Sequence, residues 1–159
     1  MTYLLKREIE IERPIEEVFE FFNRPENLAL ITPPSRGFKI LTPSPVTMAS
    51  GSVIDYTVNV GGIPIRWTSV IQDYQPPFKF VDCQLKGPYS FWHHTHLFQE
   101  TSRGTLVIDE VRYALPFGML GLLLKPMIQK QLDAIFNYRT KIIPKFFQAT
   151  LTSLEGEIP

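Results

Sequence analysis

The sequence has one cysteine, no net charge and no apolar run long enough to cross a membrane. Cys83 alone excludes an internal disulfide and a multi-thiolate metal site. Sixteen basic residues balance sixteen acidic ones, so no long-range field would attract nucleic acid or an anionic membrane. The most apolar stretch, residues 114–124, is about half the length of a spanning helix. We therefore expect no nucleic-acid partner and no stable membrane insertion.

Several motifs of catalysis and targeting are also missing. The chain has no G-x-S-x-G elbow, no glycine loop that cradles phosphate and no G-x-G-x-x-G. No cation or helix N-terminus flanks Cys83, which predicts a small buried hydrophobic residue rather than a nucleophile. The N-terminus becomes charged too early for a signal peptide. These absences predict a cytoplasmic protein without a cofactor.

Aromatic residues, by contrast, are abundant. The 159 residues are 13% aromatic and include twelve phenylalanines. A chain of this length buries about 68–70% of its unfolded surface. We expect one domain, residues 1–159, with a large apolar interior.

The order of elements is readable from the hydrophobic periods. Residues 3–13 alternate as a half-buried strand, and Pro14 begins a helix whose pattern breaks at Pro25, before a second short helix. Residues 38–114 alternate between short strands and tight turns, as in an antiparallel meander. From Lys125 onward the apolar residues follow helical spacing. This predicts an α+β protein in which a curved antiparallel sheet of about six to seven strands wraps around a long C-terminal helix.

Three strings carry a resemblance to a known family. They are "PIEEVFEFFNRPENLALITPP", "DYQPPFKFVDCQLKGPYSFWHHTHLF" and "GTLVIDEVRYALPFGMLG". With the element order, they resemble the SRPBCC superfamily, also called START-like or helix-grip, and in particular its bacterial ligand-binding, polyketide cyclase-like branch. The resemblance implies a helix-grip fold with an internal cavity for a hydrophobic ligand. The resemblance does not imply a bound metal, and it does not identify a particular reaction mechanism, because proteins of one such fold have many unrelated functions.

The only three histidines of the chain fall within "FWHHTHLF". Strand alternation places Trp92, His94, His96 and Phe98 on one face, and His93 on the other. The resemblance implies that the W-x-H-x-H-x-F set faces the cavity. Buried imidazoles need polar partners, so we expect a polar cluster within an aromatic space. Its predicted members are Asp82, Gln84, His94, His96, Asp109 and Tyr113, and the predicted apolar walls are Trp67, Trp92 and Phe98.

Other interpretations of the histidines remain open. They also fit the solvent-exposed face of a sheet, or a hydrogen-bonded core network that binds nothing. His94 and His96 would chelate a metal with Asp109 or Glu110, but H-x-H is a short pattern and we predict no metal site.

The ligand and the cavity mouth are predicted only in outline. The first hypothesis is binding of a small or medium hydrophobic molecule of lipid, polyketide or quinone type. The second is acid–base catalysis by His94 or His96, with Tyr113 or Arg66 as oxyanion donor. The third is an interaction protein with a filled core. The apolar stretch after the last strand is either core or a gate formed by Phe117, Met119 and Leu120. The oligomeric state stays open.

Overall fold

The computed structural model describes residues 1–118 and 121–155, with side chains described through residue 148. The described residues form two α-helices and seven strands. The strands are β1 (Tyr3–Ile11), β2 (Lys39–Ile40), β3 (Val53–Val60), β4 (Ile63–Gln75), β5 (Lys79–Lys86), β6 (Phe91–Thr101) and β7 (Gly104–Ala114). The helices are α1 (Ile15–Phe22) and α2 (Gly121–Glu155), and two 3₁₀ helices, Pro25–Ala29 and Pro34–Arg36, follow α1.

The strands form one antiparallel sheet in the order β1-β7-β6-β5-β4-β3-β2. Tight turns explain the meander from β3 to β7. Gly61 and Gly62, between β3 and β4, have φ of 60° and 84°, a conformation that a two-residue hairpin turn requires and glycine adopts without strain. Strand β1 forms one edge of the sheet and pairs with β7 along its whole length.

Helix α2 packs against the inner face of the sheet. Its buried stripe is Ile128, Leu132, Phe136 and Ile143. Strand β1 faces the helix with Leu5 and Ile9, which are also buried, and the Arg7 guanidinium donates to Asp133 of α2 over 2.6 Å. The buried faces of β1 and α2 therefore pack together in two clusters, Leu5 with Ile128, Leu132 and Phe136, and Ile9 with Ile143, as binary patterning predicts.

The helix-grip α+β fold expected from the sequence is confirmed. Three elements differ in detail from the prediction. The strand after Phe38 is only two residues long, the second short helix is a 3₁₀ helix, and α2 begins at Gly121 and not at Lys125. The early start of α2 needs a glycine, because a Cβ at Gly121 would lie 2.2 Å from the Pro116 carbonyl oxygen. Within the described ranges, no helix combines the length and apolar character needed to cross a membrane.

Candidate functional site

Strand β6 divides its side chains sharply between two environments. Trp92, His94, His96 and Phe98 point inward and are 8%, 4%, 4% and 2% exposed. His93 points to the other face, and its ring lies parallel to that of Phe91, which is 44% exposed. The W-x-H-x-H-x-F set is thus the interior face of the strand.

Two carboxylates flank the two interior histidines. His94 Nε2 lies 3.0 Å from Asp109 Oδ1, and His96 Nε2 lies 3.0 Å from Asp82 Oδ2, both as hydrogen bonds. His94 Nδ1 lies 3.3 Å from Asp82 Oδ2. His96 Nδ1 lies 2.9 Å from Asp109 Oδ1, but outside hydrogen-bond alignment, so it has no hydrogen-bond partner among the described residues. We call these four residues the Asp–His cluster.

Strand register explains why the cluster forms. Asp82 on β5 pairs directly with His94, and Asp109 on β7 pairs directly with His96. Each histidine therefore has one carboxylate opposite and the other on the diagonal, within reach of its ring. The two imidazole rings have centroids 3.8 Å apart and planes tilted by 38°, and the Phe80 ring stacks on His96 at 4.2 Å.

Charge pairing outweighs burial in setting the protonation of the cluster. Burial is the largest single influence on the pKa of Asp82 and of Asp109 and acts to raise it, but the neighbouring imidazoles leave both pKa values well below the usual range. Burial likewise acts to lower the pKa of His94, yet the two carboxylates raise it to about 9. At neutral pH the cluster therefore holds two carboxylate anions and a charged His94.

The cluster borders a cavity of about 150 Å³ between the sheet and α2. Apolar and aromatic side chains form most of the wall, including Ile54, Val58, Ile71, Phe80, Leu132, Ile135 and Phe136. Tyr89 packs against both tryptophans, with ring centroids 5.5 Å from Trp67 and 4.9 Å from Trp92, and the two tryptophan rings contact each other at 5.1 Å. The result is a mainly apolar space with the Asp–His cluster on one side and a few other polar side chains on its wall.

Five of the nine residues predicted to bind ligand line this cavity: Trp67, Asp82, Trp92, His94 and His96. The other four do not. Asp109 lies behind the histidines, and Phe98 is buried farther along β6 among Phe19, Phe22 and Phe80. Gln84 is held at the β5–β6 turn, where its side chain exchanges hydrogen bonds with the Tyr89 backbone. Tyr113 is buried against Tyr3.

Two other predicted roles do not match the positions found. Arg66 cannot donate to an oxyanion in the cavity, because alternation on β4 turns Trp67 inward and Arg66 outward, where it pairs with Asp55 at 2.8 Å. Glu110 faces away from His94 and His96 for the same reason and pairs with Arg112 at 3.0 Å.

Only Phe117 of the three predicted gate residues lies within the described part of the chain. Phe117 is 75% exposed and is not among the residues that line the cavity. Its φ is 63° and that of Gly118 is 54°, an unusual backbone for a phenylalanine. Met119 and Leu120 lie outside the described residues. The gate stays a prediction.

Three arginines at the cavity were not predicted from the sequence, and one of them, Arg24, pairs with Glu20 at 2.9 Å. Arg36 and Arg139 also line the cavity, and the Nε of each is buried without a hydrogen-bond partner among the described residues. The Arg139 guanidinium lies 4.9 Å from the centroid of the Phe136 ring. One signal was present: Arg139 lies three residues after Phe136 on the same face of a helix.

Comparison with solved structures shows the same fold in distant proteins. The Zhui aromatase/cyclase from Streptomyces sp. R1128 is 14% identical over 95% of this chain and 96% of its own, with a TM-score of 0.77. A START superfamily protein from Mycobacterium smegmatis is 12% identical over 92% and 98%, with a TM-score of 0.70. Ginseng major latex-like protein 151 from Panax ginseng is 14% identical over 92% and 97%, with a TM-score of 0.63.

Sequence comparison identifies the family directly. No curated protein matches the chain. A family model described as polyketide cyclase / dehydrase and lipid transport matches residues 11–136, which run from the last residue of β1 through α1 and the whole meander into the first half of α2. The chain belongs to the polyketide cyclase/dehydrase and lipid transport family.

Proposed function

We propose that residues 1–159 form one ligand-binding domain that holds a small hydrophobic molecule with a polar, electron-rich end group. The observation that carries this proposal is the cavity, whose mainly apolar walls also carry His94, His96 and Asp82, together with Arg36 and Arg139. Ligand pockets typically combine such walls with a few placed polar groups. The presence of this cavity argues against an interaction protein with a filled core.

Cavity size limits the part of the ligand that is enclosed. A volume of about 150 Å³ matches cavities that bind one benzene-sized group. A lipid or polyketide would therefore place one end or one ring inside, and side chains at the mouth would have to move to admit more. We infer a ligand with a compact apolar or aromatic end.

The arginines indicate the charge of the ligand. An unpaired buried N–H is costly, so the Nε groups of Arg36 and Arg139 favour a ligand that brings an acceptor. Guanidinium groups suit carboxylates, which accept two parallel hydrogen bonds. Tyr56 also lines the cavity, and burial raises the pKa of its hydroxyl, which keeps it a donor. We propose a carboxylate or a similarly polarised oxygen group.

Tryptophan fluorescence tests both parts of the proposal, because Trp67 and Trp92 are the only tryptophans and both line the cavity. We expect 4-nitrobenzoate to quench them saturably. Val58→Phe fills the cavity and should weaken binding at least tenfold. Thr57→Phe on the same strand does not touch the cavity and should leave binding unchanged. Quenching that does not saturate, or that Val58→Phe leaves intact, would refute the proposed site.

Charge selectivity is read from a second probe. Uncharged 4-nitrobenzyl alcohol should bind more weakly than 4-nitrobenzoate to the wild type. In Arg139→Gln the preference should shrink, because the guanidinium is replaced by a neutral amide. Equal affinities for both probes in the wild type would remove the carboxylate from the proposal and leave the hydrophobic site standing.

Acid–base catalysis is a second candidate, favoured by the hydrogen bonds that orient both imidazoles. A carboxylate that fixes an imidazole 3.0 Å away is the arrangement of a general base, and the similar Zhui protein is an aromatase/cyclase. Deuterium exchange at the central carbon of a β-diketone, followed by NMR, tests it. Acceleration by the wild type and His93→Gln, but not by His96→Gln, would support catalysis. Equal rates in all three would exclude it.

A further inference from the structure

Three side chains of the Asp–His cluster have the arrangement of metal ligands. Asp82 Oδ2 lies 3.0 Å from His96 Nε2 and 3.3 Å from His94 Nδ1, and one ligand atom from each residue lies within 4.8 Å of the other two. Tetrahedral zinc with bonds of about 2.0–2.2 Å separates its ligand atoms by about 3.3 Å. The two distances from Asp82 Oδ2 to the histidine nitrogens are therefore close to those that a bound cation requires.

Asp109 supplies the outer contact that such a site requires. Histidines that bind a metal usually give their other ring N–H to a carboxylate. Asp109 Oδ1 hydrogen-bonds His94 Nε2 at 3.0 Å, the nitrogen opposite the one facing Asp82. The same oxygen lies 2.9 Å from His96 Nδ1. The buried Asp109 carboxylate thus fixes the His94 ring so that Nδ1 faces Asp82. It also lies next to His96 Nδ1, the ring nitrogen that does not face Asp82.

Charge balance also favours a divalent cation. Asp82 and Asp109 bring two negative charges into the interior, and buried charges need compensation. Two imidazolium ions would neutralise them only by placing like charges on rings whose centroids are 3.8 Å apart. One divalent cation supplies both charges at a single point and leaves both imidazoles neutral.

We propose that Asp82 Oδ2, His94 Nδ1 and His96 Nε2 bind one divalent transition-metal ion such as zinc, with Asp109 outside the coordination sphere. Because all three ligand residues line the cavity, the remaining coordination position faces the hydrophobic ligand. The set differs from the one weighed from the sequence, which used Asp109 or Glu110 as the oxygen ligand and led to no predicted metal. The side chain of Asp82, at 18% exposed, lies on the cavity side of the rings, whereas that of Asp109 is only 4% exposed.

Cobalt binding to the metal-stripped protein tests the site. We expect one Co²⁺ per chain, seen by calorimetry, with visible d–d absorption strong enough to indicate four-coordinate geometry. His94→Ala, His96→Ala and Asp82→Ala should each reduce affinity at least a hundredfold. His93→Ala is the matched control, because it removes a histidine from the outer face of the same strand. Asp109→Asn should cost about 10–100-fold, the usual range for an outer-shell partner.

A second measurement keeps the result independent of variant folding. In the wild type loaded with ¹¹³Cd²⁺, coupling to ¹⁵N-labelled imidazoles should appear at Nδ1 of His94 and Nε2 of His96. Coupling at His93, no coupling at any histidine, or no stoichiometric Co²⁺ binding by the wild type would overturn the proposal. Circular dichroism confirms that each variant is folded.

The metal proposal rests on the proposed ligand site, for which it names a cofactor. Failure of the metal site can be distinguished from failure of the ligand site. The 4-nitrobenzoate titration is repeated on stripped and Co²⁺-loaded protein. If the stripped protein binds 4-nitrobenzoate but not Co²⁺, the metal site is refuted and ligand binding stands. If the protein binds Co²⁺ at these residues but excludes every probe, the ligand site fails instead. When both bind, 4-nitrobenzoate should perturb the Co²⁺ absorption, since it would occupy the cavity that the open coordination position faces.

Discussion

The two faces of strand β6 carry the same residue type in opposite environments. His94 and His96 are buried between two carboxylates, whereas His93 faces outward beside the exposed Phe91. The positions differ by a single step along the chain. The comparison shows that histidine content alone says little, and that partners brought by neighbouring strands decide what an imidazole does.

The largest expected effect separates Asp109 from its neighbour Glu110. Asp109→Ala removes one carboxylate from a buried charged network, which costs about 3–5 kcal/mol. Glu110→Ala breaks only a surface pair with Arg112, worth about 0–1 kcal/mol. Urea denaturation of both variants, in the presence of a chelator, measures the difference in the free energy of unfolding. Similar losses in the two variants would contradict a charged interior cluster.

A pH series sharpens the same contrast within the histidines. The pKa of His94 is raised to about 9 in the folded protein and is about 6.5 when unfolded, so its contribution to stability is complete below about pH 6.5 and is lost as pH rises through about 9. The metal-free wild type should lose stability across this interval. Asp82 and Asp109, whose pKa values are lowered, should lose their contribution on the acid side, below about pH 4.

Two glutamine variants assign the alkaline slope. His94→Gln should flatten the dependence of the unfolding free energy on pH between about 6.5 and 9. His93→Gln should keep it, because its imidazole faces neither carboxylate of the cluster. An unchanged slope in His94→Gln would show that another group titrates there.

The smallest expected effect concerns Cys83 on the outer face of the sheet, next in sequence to Asp82 on the inner face. Burial, and then the charge of Asp82, raise the pKa of Cys83 to about 11. Its alkylation by iodoacetamide at pH 8 should therefore be about a hundredfold slower than that of a free thiol of pKa about 8.5. Asp82→Asn should raise the rate by a smaller factor, because burial remains. A rate equal to that of a free thiol would refute the pKa shift.

Local periodicity predicted the fold and half of the site. Alternation in residues 3–11 and 92–98, together with helical spacing after residue 121, depends only on which side of each element is buried, and a sequence shows that directly. The inward orientation of Trp92, His94 and His96 followed from the same alternation together with the family resemblance.

The rest depended on how distant segments meet. Asp82 and Asp109 reach the histidines through the register of β5, β6 and β7, which no local pattern predicts. Nor does a local pattern predict the irregular pairing of β4 with β5 between Thr68 and Ser69 and between Ile71 and Asp73. Gln84 was placed in the cavity by alternation, but its side chain hydrogen-bonds the adjacent turn. Arg36 and Arg139 come from a 3₁₀ helix and from α2, so only the folded chain brings them to one cavity.

The most direct test of the central claim is native mass spectrometry of the protein as purified, followed by denaturation and identification of what is released. We expect one small organic molecule per chain, with an apolar end and an acidic or carbonyl oxygen. Val58→Phe should carry much less of it, and Thr57→Phe the same amount as the wild type. A wild-type protein that has the mass of the bare chain, and that stays bare after incubation with 4-nitrobenzoate and 4-nitrobenzyl alcohol, would contradict ligand binding in this cavity.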